Sequence, residues 1–374
     1  MWGDRGKVMN IFVKSTLVAS IFCTALVGTF PAYGKELPRV LILATGGTIA
    51  GVSNNNSAVG GYDSGKVKAN DLVNAVPQIK EVANCDVEQF CNIGSQDMNG
   101  QVWVKLNERV NNALVNQHYD AVVITHGTDT MEETAYFLEN TLQSDSPVVF
   151  VGAMRPTSAI SPDGPSNLYD AIKVAIDPDS KKRGVLVTMG GDIFESRDIY
   201  KSDINSLYSY ASRCCGPVGS VDEGVVNFYA PPIPAERPCW GVPPDAVLPR
   251  VDILHAYAGC TGDSIDAAVN CGARGIVIAG VGNGNMSKDY IDAVKRAVGK
   301  GVIVVRSSRV TKGFVNRNHE ISDDELGTVA SYDLSPEHAR ILLQLIIYHL
   351  DNEPTQKDKL NVQKCFEGKY FLKR

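Results

Sequence analysis

AVVITHGTDTMEET, residues 121–134, decides the fold class. Ala121–Thr125 is a short β-branched run of the kind that fills a strand buried on both faces. Close behind it, Thr130-x-x-Glu133 has the spacing of a capping box, which predicts that a helix starts there, with Thr128 and Asp129 ahead of its first turn. A buried-type strand running directly into a helix is half of a βαβ unit.

The same alternation spreads outward. Further β-branched runs lie at 40–44, 147–152 and 184–189, and helical periodicity at 131–142 and 167–176. Residues 229–250 break the pattern with seven prolines, which reads as a semi-rigid linker rather than a core element. Strand-like runs resume at 251–254, 275–279 and 302–305, with helices at 288–298 and 336–349. The expectation is two α/β domains with mainly parallel sheets: a larger N-terminal domain over 35–228, a linker over 229–250, and a smaller C-terminal domain over 251–374.

Composition agrees. The chain has 374 residues, 44% hydrophobic and 21% charged, with a net charge of −6. At roughly 150 residues per domain this length suits two domains with sizeable cores. No dense Lys/Arg run is present and the balance is acidic, which argues against a nucleic-acid footprint.

Residues 1–34 read differently. Arg5, Lys7 and Lys14 form a basic start, residues 15–30 are mostly apolar and uncharged, and Ala32-Tyr33-Gly34 places small residues where a signal peptidase reads. The apolar run is short for a membrane span. A signal peptide over 1–34 is therefore expected, whether translation starts at Met1 or Met9. The exported chain would begin near Lys35, be periplasmic or secreted, and carry no membrane segment.

Eight cysteines follow that point. Cys85 and Cys91, six apart in an extended run, are too distant to bridge, as are Cys260 and Cys271 across a helical stretch. Cys214 or Cys215 with Cys239 remains geometrically open; the competing reading makes most cysteines small buried hydrophobes. No Cys/His spacing suggests a metal site.

Ligands of open parallel sheets bind beyond the carboxyl ends of strands. After 40–44 comes Thr45-Gly46-Gly47-Thr48-Ile49-Ala50-Gly51, whose glycines can present the Thr48 hydroxyl with little cover. Residues 53–65, rich in Asn, Ser and Gly and containing Tyr62, suit a flap carrying one aromatic hydroxyl, or a plain solvent loop. The helix start near Thr130 turns N–H groups and the positive dipole end toward Thr128, where an oxyanion would be stabilised. Asp129 suits a substrate ammonium, or merely the helix dipole. His126, next to glycine, reads as a packed or backbone-satisfying histidine rather than a base. Ser95-Gln96-Asp97 follows another strand-like run, and Lys201, if desolvated beside threonine hydroxyls, could serve as their base.

Together these segments resemble the bacterial type II L-asparaginases, exported enzymes of the asparaginase/glutaminase family. The likeness runs from Leu37 to about residue 370. It is carried by residues 44–51 and 125–134, with Gly94-Ser95-Gln96-Asp97-Met98, Gly152-Ala153-Met154-Arg155-Pro156, Gly282-Asn283-Gly284-Asn285 and Ser307-Ser308-Arg309 in support. The resemblance implies Thr48 as nucleophile with Tyr62 in the flap beside it. It also implies Thr128 as second threonine, with Asp129 and Lys201 as its charged partners. Ser95, Gln96, Asp129 and Ala153 would hold the substrate. Asn285 and Glu320 would reach the active site of a neighbouring subunit in a homotetramer.

The reaction so implied converts L-asparagine to L-aspartate and ammonia, with L-glutamine as secondary substrate and no metal or organic cofactor. Two departures stand out. Leu114 and Ser144 occupy the positions of a disulfide common in the family's N-terminal domain, and Ser287 stands where some members carry a tyrosine near the substrate. A dual-specificity glutaminase-asparaginase is therefore the nearest alternative. A periplasmic amino-acid-binding protein is the alternative of another class, and it would leave Thr48, Thr128 and Lys201 idle.

Overall fold

The computed structural model describes residues 36–53, 62–63, 65–232, 239–350 and 356–368. The expected signal peptide and most of the expected flap lie outside the described residues.

The larger sheet has eight strands. In chain order its first five are β1 (Arg39–Gly46), with β2 (Val52–Ser53) and β3 (Tyr62–Asp63) forming a separate small ribbon, then β4 (Asn84–Ile93), β5 (Ala121–Thr125), β6 (Val148–Val151) and β7 (Val185–Met189). Strands β4, β1, β5, β6 and β7 lie side by side and all parallel. Every residue of β5, β6 and β7 is buried, the burial on both faces that their unbroken apolar runs require. Helices α1 (Ala69–Asn74), α2 (Ile79–Val82), α3 (Gly100–Asn111), α4 (Met131–Thr141) and α5 (Gly164–Ile176) form the connections.

Beyond β7 the chain departs from the purely parallel pattern. Gly190-Gly191, both at positive φ, turn it back into β8 (Asp192–Glu195), antiparallel to β7. The hairpin β9 (Ile199–Lys201) and β10 (Tyr210–Ser212) stands apart as its own two-stranded sheet. Strands β11 (Gly219–Asp222) and β12 (Val225–Phe228), joined by Glu223-Gly224 at φ 50° and 76°, complete the antiparallel edge.

The smaller sheet is parallel throughout, in the order β13 (Val251–His255), β14 (Gly275–Gly280), β15 (Ile303–Ser308) and β16 (Val329–Ala330). Helices α6 (Asp263–Asn270), α7 (Lys288–Gly299), α8 (Asp323–Leu326), α9 (Pro336–Tyr348) and α10 (Gln356–Phe366) accompany it. The architecture is the expected mixed α/β one, with a larger N-terminal and a smaller C-terminal sheet, both mainly parallel.

One hydrophobic cluster joins the two sheets. Leu41, Phe137 and Phe150 share it with Val277, Ile303 and the apolar face of α9. The proline-rich stretch takes part as well: Trp240, Val242 and Ala246 are buried in this cluster. Proline fixes the backbone there, and the apolar residues between the prolines still gain by burial.

Candidate active site

Four loops leave the carboxyl ends of β4, β1, β5 and β6, which are consecutive neighbours in the sheet. Ser95, Thr48, Thr128 and Ala153 each lie within two or three residues past a strand end, so the topology alone sets them in a row. Glycines let these loops nest. A Cβ on Gly47, which has φ +81°, would stand 2.4 Å from Gly127 Cα, and one on Gly127 would stand 2.7 Å from Ser95 Oγ. The Thr48 turn therefore lies directly against the Thr128 loop, and that loop against Ser95.

Thr48 opens a single 3-10 turn, Thr48–Ala50, and is buried. Ser95 opens a similar turn, Ser95–Asp97; its Oγ accepts from Asp129 N–H at 3.2 Å and its carbonyl from Thr130 Oγ1 at 2.7 Å. Thr130 is the N-cap of α4, but its side chain makes no cap bond to that helix. The expected capping box is therefore not formed: the Thr130 hydroxyl is spent on Ser95, and Glu133 turns to Arg340 of α9 at 3.2 Å. Gln96 is exposed, with its side-chain amide lying over Gly94, where a Cβ would come within 2.4 Å of it. Ala153 is fully buried.

The Thr128 loop is completed from the β9–β10 hairpin. Lys201 Nζ donates to Thr128 Oγ1 at 2.8 Å and to Asp129 Oδ1 at 2.7 Å. Its side chain is 18% exposed while that of Asp129 is 63% exposed, so the ammonium is sheltered and the carboxylate faces outward. Lys201 thus meets the Thr128 hydroxyl and the Asp129 carboxylate together.

Two residues missed in the sequence brace this arrangement. The Tyr210 hydroxyl donates to the Thr128 carbonyl at 2.5 Å, and a Glu132 carboxylate oxygen accepts the main-chain N–H of Lys201. Burial first, and then the Glu337 carboxylate, push the Glu132 carboxyl up to about 8. Tyr210 is raised well above its ordinary value by burial and by the nearby Glu132 and Asp129 carboxyls, so it stays a neutral donor. His126 is fully buried, with Nδ1 2.7 Å from the Gly127 carbonyl, and burial pushes it down to about 4. It packs against Phe150 and supplies no base to this site.

Tyr62 pairs through its backbone with Ser53, but its side chain lies outside the described residues. Asn285 and Glu320 meet each other, Nδ2 of the first donating to the carboxylate of the second, at the strand ends of the smaller sheet. No hydrogen bond among the described residues links them to Thr128 or Lys201. The loops that carry them are organised by Arg306, a wholly buried residue of β15 that the sequence reading also passed over. Its guanidinium donates to the carbonyls of Asn283, Gly284 and Asn316 and to both carboxylate oxygens of Asp323 at 2.7 Å. Burial raises the Asp323 carboxyl, but Arg306, Thr328 and the Asn318 N–H outweigh it and hold it below its ordinary value.

Ser287 caps α7 by accepting from Tyr290 N–H at 3.2 Å. Cys214 and Cys215 carry free, exposed thiols, so the suggested bridge to Cys239 is not made. Their main-chain N–H groups are tied to Asp198, while Cys239 lies by the Thr141 carbonyl. Of the eight cysteines only Cys260 and Cys365 are buried, which corrects the reading of most of them as small core residues. Among the described residues no group of His, Cys, Asp and Glu could hold a metal ion, and no helix is long and apolar enough to cross a membrane.

Comparison with known proteins gives a consistent picture. Residues 39–234 match the family described as "Asparaginase, N-terminal", and residues 250–360 match the "Glutaminase/Asparaginase C-terminal domain". The chain is 43% identical over 362 residues to L-asparaginase 2 of Escherichia coli K12, covering 96% of this chain and 99% of that one. It is 42% identical over 348 residues to a probable periplasmic L-asparaginase of Haemophilus influenzae, covering 92% and 97%. Among solved structures, a probable cytoplasmic L-asparaginase from Campylobacter jejuni superposes with a TM-score of 0.83 at 39% identity, covering 88% of this chain and 99% of that one.

Proposed function

The chain belongs to the asparaginase family of hydrolases, and we propose that it is an exported L-asparaginase that works through a threonine acyl-enzyme. The Thr48 oxygen attacks the side-chain amide carbonyl of L-asparagine. The C–N bond then breaks, the hydroxyl proton leaves with the nitrogen as ammonia, and water cleaves the acyl-threonine to L-aspartate. Amide attack demands an exposed nucleophile edge, a proton carrier at hydrogen-bond distance and a grip on the substrate's charged ends.

The observation that carries this reading is the Thr128–Lys201–Asp129 cluster, Nζ lying 2.8 Å from one and 2.7 Å from the other, on the loop that Gly47 presses against. Thr128 and Lys201 pass the proton, and Asp129 balances the ammonium and faces outward toward the substrate amine. Ser95, Gln96 and Ala153 line the neighbouring loop ends and receive the α-carboxylate, and Tyr62 closes the flap over Thr48. A solute-binding protein would have no use for a lysine held on a threonine hydroxyl in this way.

Asn285 and Glu320 belong to this scheme as groups lent to a neighbouring subunit within a homotetramer. What supports that is their position on loops of the smaller sheet, bonded to each other and, among the described residues, not to Thr128 or Lys201. Export rests on the basic-apolar-small pattern of residues 1–34. L-Glutamine is the secondary substrate; the family's C-terminal description includes glutaminases, and Ser287 replaces an aromatic group where preference is set.

The test is ammonia release by the purified chain lacking residues 1–34, with L-asparagine and L-glutamine in parallel from micromolar to millimolar concentrations. Strong asparagine turnover with weak glutamine turnover is expected, and Thr48→Ala abolishes both. Comparable rates would move the protein to the dual-specificity glutaminase-asparaginases. No ammonia from either substrate, from a folded protein, would overturn the catalytic reading.

A further inference from the structure

The mechanism just proposed asks much of Lys201, yet nothing in it explains how a flexible four-carbon side chain is kept on one threonine hydroxyl. The hairpin that carries Lys201 is a sheet of only two short strands, outside the eight-stranded sheet. A two-stranded ribbon is marginal by itself and needs outside contacts to fix its position.

Arg197 and Arg213, at the hairpin's two ends, are tied to Asp333, and the contact to Lys201 itself comes from the first turn of α4. Glu132 follows Thr128 by four residues, and its carboxylate oxygen takes the main-chain N–H of Lys201 itself. In return Tyr210, which pairs with Lys201 across the hairpin, donates its hydroxyl to the Thr128 carbonyl at 2.5 Å. Backbone and side chain of Lys201 are thus held by residues of one short segment, 128–132, so the Nζ–Oγ1 distance is a local quantity. The Glu132 side chain makes no other hydrogen bond among the described residues that would give it a separate task.

We propose that Glu132 is a positioning residue for the reaction: by accepting the Lys201 main-chain N–H it fixes where the lysine leaves the hairpin, and so keeps Nζ on Thr128. The assignment rests on the proposed role of Thr128 and Lys201. The groups that face Glu132 fit a carboxyl used as a neutral acceptor rather than as a free charge. Glu133 lies next to it on α4, and Glu337 and the neutral His338 face it from α9; Arg213 and Tyr210 face it from the hairpin side. With two further carboxyls against one guanidinium, and burial added, Glu132 keeps its proton up to about pH 8.

Glutamine has the same shape and keeps the accepting oxygen, so Glu132→Gln is the conservative variant. Glu132→Ala removes the acceptor. Glu133→Gln is the control, since it alters a neighbouring carboxyl on the same turn that faces Arg340 and not Lys201. The expected pattern with L-asparagine is a kcat lowered about 100-fold in Glu132→Ala at a KM within about threefold of the starting protein, because misplacing a reacting group costs that order while the substrate grip is untouched. Glu132→Gln and Glu133→Gln should both keep kcat within about threefold.

If Glu132→Ala does not fold, Glu132→Asp, which retracts the carboxyl by one carbon–carbon bond, carries the same expectation of lowered kcat at unchanged KM. Hydrogen exchange gives a readout that needs no turnover: the peptide containing Lys201 should lose protection in Glu132→Ala and retain it in Glu133→Gln. A folded Glu132→Ala with kcat within threefold of the starting protein, or equal losses in Glu132→Ala and Glu133→Gln, would overturn the proposal. Absence of ammonia release in the unsubstituted protein would instead overturn the functional reading, leaving hydrogen exchange to decide on the clamp.

Discussion

Lys201 and Thr128, 73 positions apart in sequence, are joined by a hydrogen bond of 2.8 Å from Nζ to Oγ1. Asp129, the residue next to Thr128, takes the same ammonium at 2.7 Å, so one lysine is shared by a hydroxyl and a carboxylate from consecutive residues. A sheltered ammonium in that position both orients the hydroxyl and can exchange a proton with it. The pairing requires a loop from the parallel sheet and a hairpin from outside it, so it exists only in the folded chain.

Lys201→Met keeps most of the apolar stem and removes the donor. We expect kcat for L-asparagine to fall by about 10²–10⁴-fold, the usual worth of a proton carrier. KM should change much less, since Thr48, Ser95 and Gln96 are not touched. Steady-state ammonia release measures both, and a variant with nearly normal kcat would remove Lys201 from the chemistry. Thr128→Val should fall with it, and the double variant should be little worse than either single one, as happens when two residues act as a unit.

Gly47→Ala tests the nesting of the strand-end loops. The added methyl would lie 2.4 Å from Gly127 Cα and N, on a residue whose φ of +81° already disfavours any side chain. Neither backbone can yield without moving Thr48 or Thr128. The expected result is a loss of turnover of at least about 100-fold. It should come with a lower thermal midpoint, read by circular dichroism against the unsubstituted chain. An active, equally stable Gly47→Ala would show that the loops have room the close approach denies them.

What could be read from the sequence follows from how local each feature is. The strands β1 and β5 announce themselves as β-branched runs, the glycine-flanked threonines Thr48 and Thr128 follow them within three residues, and Ser95 follows β4 in the same way. Thr48, Ser95 and Thr128 were therefore legible as strand-end groups before any fold was known. Tyr210 and Glu132 were not, because each matters through one contact to a distant segment and neither sits in an unusual local pattern. The antiparallel edge was missed despite a signal: Gly190-Gly191 is a hairpin dipeptide, as is Glu223-Gly224 in this setting. Arg306 also gave notice, being a charge within the buried run Ile303–Ser308, which obliges the fold to supply a partner.

That partner is Asp323, and the pair is almost wholly dry, with side chains 1% and 0% exposed. Removing one member strands the other charge, so Asp323→Ala should destabilise by about 3–5 kcal/mol in chemical denaturation. Arg306→Met should also lower activity at temperatures where the protein is still folded, because the guanidinium holds the carbonyls of Asn283, Gly284 and Asn316 on the loops of Asn285 and Glu320. A rise in KM ahead of any loss of secondary structure is the expected sign. Retention of normal KM up to the unfolding midpoint would uncouple these loops from the substrate site.

The response of stability to pH separates two kinds of buried group. His126 and His338 are fully buried, and burial pushes them down to about 4 and about 3. Both are depressed below the unfolded value, so below about pH 6.5 the unfolded chain binds protons that the native chain does not. Stability then falls as pH falls, by up to about 1.4 kcal/mol per pH unit for each histidine. Glu132 acts in the opposite sense. Its folded value of about 8 exceeds the unfolded value of 4.5, so the native chain holds a proton that the unfolded chain sheds, and stability falls as pH rises through that window. The two effects overlap between about pH 4.5 and 6.5 and separate on either side. Thermal midpoints of the unsubstituted chain and of Glu132→Gln, measured from pH 4 to pH 9, resolve them. The variant should gain on the unsubstituted chain steadily from about pH 5 to pH 8 and no further, while both share the same acid-side decline from the histidines. A difference that stays flat across pH 5–8 would mean that Glu132 titrates alike in the folded and unfolded chain, and that its carboxyl is charged beside Lys201 at neutral pH.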